Sequence, residues 1–204
     1  MPLKTTVKQG LYKSLEQREG RFRHLYLDTK GKTTIGVGHL IPNRTAIISI
    51  PMYTVKNNQP FQPATTKQKK DEYDKIIKLP WGQRYGAGWY KQHTSLTMKD
   101  PDINQRLDKH LSSFYSELSN IYKKSSGYPD NFDKLHDNVQ LALFDMIFNM
   151  GATTLTGTFV KFNTALKAGD WKKAALESNR PDVSAERNAY VKKLLSTTPA
   201  LVKQ

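Results

Sequence analysis

The run from Val139 to Met150 is apolar on nearly every side of a helix, and Gly151 stands where such a helix would close. A helix of that kind cannot lie on a surface, because neighbours must remove its whole circumference from water. The chain therefore needs further helices packed around this one. Ile103, Leu107, Leu111, Phe114, Leu118 and Tyr122 recur at three- or four-residue spacing behind Asp100 and Pro101, a cap followed by a first-turn proline. Phe159 to Leu176 and Ala185 to Leu195 read as two more helices.

Before this helical body the pattern changes. Val7, Leu11 and Leu15 form one ridge of an N-terminal helix, and Gly20 supplies its stop. Glu19 continues that ridge in the last turn, where burial and the negative end of the helix dipole both disfavour a charged carboxylate. Arg21 to Leu27, the turn-like Asp28 to Lys32 and the β-rich Thr33 to His39 read as a hairpin. Within its second strand a period of two puts Thr34, Gly36 and Gly38 on one face, and residues that small let another chain approach the backbone. The sum is an α+β chain, a small sheet near the N-terminus followed by helices.

Residues from about 40 to 96 have no clear periodicity, apart from a helix over Lys67 to Lys78 ended by Pro80, and much of the segment reads as loop. Trp81, Tyr85, Trp89 and Tyr90 lie among glycines in this segment. They either stack on a sugar or plug a lobe, and packing is the commoner use of large aromatics.

A chain of 204 residues is expected to be a single domain, one or two lobes around a core, built here from about 7–40, a variable segment of about 41–96 and a helical part of about 97–204. No apolar stretch approaches the roughly 20 residues that span a bilayer, so stable membrane insertion is not expected. Cysteine is absent, which excludes disulfides and thiolate metal sites. The formal charge of +14 implies an anionic polymer as partner, whether nucleic acid, lipid surface or bacterial wall. The first ten residues hold no apolar run of the secretory kind, so delivery from the cytoplasm by another route is expected.

Glu19 and Asp28 are nine residues apart, one at a helix end and one in a turn. Glycoside hydrolysis needs two such acids, one protonated to donate to the leaving oxygen and one ionised to activate water or attack. By spacing alone the pair is weak support for that chemistry, since many helix-loop-strand units contain two acids.

The wider motif is more specific. Glu19-Gly20, then Leu25 through Gly31, then Thr34-Ile35-Gly36-Val37-Gly38-His39, resembles without a gap the N-terminal active-site signature of the phage-type lysozymes, the family of T-even phage lysozyme and related endolysins. Ala142 to Gly151, and Phe159 through Gly169, Asp170 and Trp171 to Ala175, are similar to that family's central helix and the helix pair after it. The likeness covers about 8–40 and 97–195, roughly two thirds of the chain, and leaves 41–96 unmatched.

The resemblance implies a lysozyme-like α+β fold with an active-site cleft between a small sheet lobe and a larger helical lobe. It also implies a muramidase that cuts the β-1,4 bond between N-acetylmuramic acid and N-acetylglucosamine in peptidoglycan. Glu19 would be the general acid, Asp28 the second carboxylate, and Thr34 the hydroxyl that holds the attacking water. His39 would support them, Asn149 would face the cleft, and Arg187 would face the acid. Bacterial toxins and secretion-system effectors reuse this fold with enlarged segments, so an antibacterial toxin with an immunity protein stands beside an endolysin released by a holin. Either would act as a monomer on the wall, in the periplasm or from outside, without a cofactor.

Other readings are weaker. The five histidines show no metal-ligand spacing, so no metal is implied. Gly36 and Gly38 could open a dinucleotide fingerprint, but the third glycine would fall at Ile41 and no helix follows directly. No basic-aromatic platform supports nucleic acid. A silent wall-binding module or a lytic transglycosylase on the same fold are the alternatives within the class, and retention of both acids favours hydrolysis.

Overall fold

The computed structural model of the chain describes residues 3–201. Met1 and Pro2, the start of the segment read above for a secretory leader, lie outside the described residues, as do 202–204. The chain divides into two compact units, one of 15–109 and one of 110–204 together with 1–14. All the strands among the described residues fall in the first, and the fold is α+β. No described helix is long and apolar enough to cross a membrane.

Helix α1 (Thr5–Glu19) buries Val7, Leu11 and Leu15, and its end is set by Gly20, whose φ of 71° is open to glycine at little cost. Strands β1 (Phe22–Leu27), β2 (Thr33–Gly36) and β3 (His39–Leu40) form an antiparallel sheet in the order β1-β2-β3. The hairpin expected here is thus a three-stranded meander. Gly36 (φ 69°) and Gly38 (φ 65°) reverse the chain at Val37, so that Ile35 pairs with His39 and Thr34 with Leu40. Gly38 therefore sits in a turn and not on the strand face with Thr34, because left-handed backbone ends the alternation that a period of two assumes.

Loop makes up much of the segment 41–96, but the segment also holds strands that no periodicity announced. It forms a second sheet, β5-β4-β6, from β4 (Tyr53–Lys56), β5 (Gln59–Pro63) and β6 (Leu96–Thr97). The β4–β5 connection is Asn57-Asn58, both with positive φ, as a two-residue hairpin turn requires. These strands escape a periodicity search because they are short, and β5 carries two prolines, tolerated on an edge. Helix α2 (Thr66–Ile76) stops before the expected Lys78 and owes its start to a capping box between Thr65 and Gln68.

Glu72 joins α2 to β6. It is 4% exposed, and its carboxylate accepts from Ser95 N, Ser95 Oγ and Leu96 N at 2.6, 2.6 and 3.0 Å. Burial nevertheless raises its pKa, outweighing these bonds and the nearby charge of Lys75. A carboxyl whose folded pKa lies above its unfolded value holds its full contribution below the unfolded value and loses it as pH rises through the folded one. Wild-type protein should lose stability through this group as pH climbs from about 4, and Glu72→Gln should flatten that part of the profile. Thermal melts across pH check this, and an unchanged slope in the variant contradicts it.

Helix α3 (Asp100–Ile121) begins where Asp100 and Pro101 place it, but Asp100 is not used as the cap. Arg21 and Arg23 claim its carboxylate, Arg21 Nε at 3.3 Å and Arg23 Nε at 3.1 Å, and Arg23 above all draws its pKa down. In the helical unit, α4 (Asp137–Gly157) holds the central apolar run, with Val139, Ala142, Leu143, Met146 and Ile147 fully buried. Each of these side chains larger than Ala142 contributes about 1.5–3 kcal/mol. Gly151 (φ 72°, ψ 167°) breaks the helical path inside this element, at the expected stop. The stretch 159–176, one helix by its residues but a helix pair by the resemblance, is two: α5 (Val160–Lys167) and α6 (Trp171–Leu176). Gly169 (φ 66°) turns the chain between them, and Asp170 caps α6 by accepting from Lys173 N at 2.9 Å. Helix α7 (Ala185–Ser196) packs on α4 and α6.

Candidate active site

Glu19 is the last residue of α1 and is half-buried. Its carboxylate lies on the backbone of Gly38, where a Cβ would stand 3.3 Å from Oε2. Glycine at 38 therefore serves twice, permitting the left-handed turn and leaving room for the acid. The close approach that small residues suggested is made, at least here, by the protein's own carboxylate.

Asp28 follows β1 and is held by the turn it starts. Its Oδ1 accepts from Lys30 N at 2.9 Å and Lys32 N at 2.8 Å, while its backbone N–H donates to Lys32 O at 3.0 Å. Oδ2 accepts no hydrogen bond from the described residues, so one oxygen is fixed and the other is available. The Tyr26 hydroxyl responds to both acids. Burial pushes its pKa well up, and the negative charges of Glu19 and then Asp28 push it further.

Thr34, on β2, is 5% exposed and donates its hydroxyl proton to Lys32 O at 3.1 Å. With the proton committed there, its oxygen faces other partners as an acceptor. His39, on β3, has Nε2 3.0 Å from Arg106 Nη1. A guanidinium only donates, so Nε2 accepts and the imidazole carries its proton on Nδ1. Arg106 Nη2 also donates to Ser49 O at 2.7 Å, tying α3 to the β3 side of the unit. Sequence reading missed Arg106, because a charge beside a helix ridge looks solvated and its partner lies 67 residues away.

Glu19, Asp28, Thr34 and His39 thus share the 15–109 unit. The other two residues singled out, Asn149 and Arg187, belong to the helical unit and share one partner, Asp145. Asn149 is exposed and donates from Nδ2 to Asp145 O at 2.7 Å. Arg187 donates from Nε to Asp145 Oδ2 at 3.1 Å, and Arg180 donates from Nη1 to Oδ1 at 2.7 Å. The side chains of Asp145 and Arg180 are 2% and 3% exposed, so a buried carboxylate is shared by two arginines. The signal for Asp145 was present, since one acid in an otherwise apolar run needs a cation when buried.

A meander with an acid at the preceding helix end, a second acid in its first turn and a threonine on its middle strand, followed by a helical body, defines a lysozyme-like α+β protein. No protein-family model matches the chain. "Probable T4-type lysozyme 2" of Dictyostelium discoideum is 26% identical to it over 167 residues, which is 80% of this chain and 78% of that relative. The chain thus shows a distant similarity, along most of its length, to a probable T4-type lysozyme. This relative does not bear on the toxin and effector versions of the family.

Proposed function

We propose that the chain hydrolyses the β-1,4 bond between N-acetylmuramic acid and N-acetylglucosamine in bacterial peptidoglycan. The observation that carries this is the pair of differently held carboxylates, Glu19 against Gly38 and Asp28 in its turn, both felt by the Tyr26 hydroxyl. Kinship to a probable lysozyme supports the same reading.

In this mechanism Glu19 gives its proton to the leaving glycosidic oxygen as the bond to the anomeric carbon breaks. A water accepted by Asp28 Oδ2 and donating to Thr34 Oγ1 attacks that carbon from the opposite face, and its released proton passes to Asp28. The fixed Oδ1 keeps Asp28 aimed without motion at the moment of reaction. His39 and Arg106 brace β3 behind this constellation. Release of new reducing ends from purified peptidoglycan tests the reading, and their absence with folded protein would sink it.

The net charge of +14 gives an independent expectation, because the wall is a polyanion and long-range steering weakens as the Debye length shrinks to about 8 Å at physiological salt. Initial rates on whole walls should fall with added salt more steeply than rates on short neutral glycans. Equal salt dependence on the two substrates would mean that the charge does not serve capture.

A further inference from the structure

The structure separates the four aromatics of the 41–96 segment. Tyr90 is fully buried, and Tyr85 and Trp89 are half-buried with ring centroids 4.8 Å apart. Trp81 is 56% exposed and has no ring partner among the described residues. An exposed tryptophan is ordinary when it is loosely held, but this one is fixed from two sides. Tyr90 donates its hydroxyl to Pro80 O at 2.8 Å, which anchors the backbone just before Trp81. The indole then covers Gly31, where a Cβ would fall 2.9 Å from both Cδ2 and Cε2. Gly31 belongs to the turn that orients Asp28, to whose carbonyl it donates at 3.0 Å, and the charge of Asp28 also reaches the Tyr90 hydroxyl.

We propose that Trp81 is a glycan-stacking residue, receiving on its open face a sugar of the strand whose scissile bond is presented to Asp28. The geometry favours this occupant because one indole side is closed by a bare glycine, more than half of the residue stays exposed, and the whole rests on the loop that carries a reacting carboxylate. The negative face of an indole accepts the weakly positive C–H edge of a pyranose ring, and a side chain with only two torsions loses little freedom on binding. The proposal rests on the glycan-hydrolase reading and assigns part of the 41–96 segment to substrate binding.

The test compares Trp81→Ala and Trp81→Phe with wild type, using soluble glycan fragments of peptidoglycan. Binding is followed by tryptophan fluorescence and calorimetry in a Glu19→Gln background, and turnover in the active protein. Trp81→Ala should raise Kd and KM about tenfold, the loss of one aromatic contact, with kcat within about twofold and an unchanged melting temperature. Trp81→Phe should recover much of the affinity. Kd and KM of Trp81→Ala within twofold of wild type would overturn the proposal, as would a lowered melting temperature with unchanged affinity, which would make Trp81 a cover for the turn. Wild-type protein that binds glycan through Trp81 but releases no reducing ends would remove the hydrolase reading and leave Trp81 standing. Hydrolysis indifferent to Trp81 would do the reverse.

Discussion

Glu19→Gln should leave a folded protein in which glycan cleavage is reduced by about 10²–10⁴-fold, the loss typical of a positioned general acid. The amide keeps the shape that rests on Gly38, so KM should change little while kcat collapses. Asp28→Asn should also be severe, because the amide oxygen can still accept from Lys30 N and Lys32 N and hold its place but cannot take the proton of the attacking water. Thr34→Val removes the hydroxyl that accepts from water and should lower turnover less than either acid. Steady-state kinetics on soluble glycan, with circular dichroism to verify folding, give the order. Substantial hydrolysis by folded Glu19→Gln protein would refute the assignment of the acid.

Asp145→Ala should be the most damaging single change to stability. It leaves Arg180 buried and Arg187 half-buried without the carboxylate they share, and truncating one member of a buried ion pair costs about 3–5 kcal/mol. Asp145→Asn should be milder, because the amide oxygen still accepts a hydrogen bond from Arg180, though the charge is gone. Denaturant melts distinguish the two, and an Asp145→Ala protein within about 1 kcal/mol of wild type would show that water or a rearranged arginine compensates.

The elements that could be read from residues are those whose cause is local. The central helix declared itself because its circumference is apolar nearly all round, and α1 because its ridge and Gly20 agree. Glu19, Asp28 and Thr34 could be singled out because the segment from 19 to 39 is one contiguous motif, in which helix end, turn and strand follow directly.

What escaped depends on partners far along the chain. Asp100 looks like a cap until Arg21 and Arg23, almost 80 residues earlier, take its carboxylate. Glu72 gave no hint that it would be buried against Ser95 and Leu96. The second sheet was hidden because a proline-bearing edge strand and a two-residue strand carry too few side chains to show alternation. The split among the aromatics was equally invisible, since the segment holding Tyr90 packs on β1 and Trp81 rests on Gly31, partners far from either residue in sequence.

The proposed mechanism makes its sharpest commitment in the stereochemistry of the first product. Purified peptidoglycan glycan of known anomeric form, digested briefly and followed by proton NMR with mass spectrometry, should yield a hydrolysed muramic acid end that first appears in the inverted, α configuration. A retained β anomer would contradict attack by a water held between Asp28 and Thr34, and a 1,6-anhydro product would show that no water attacks at all.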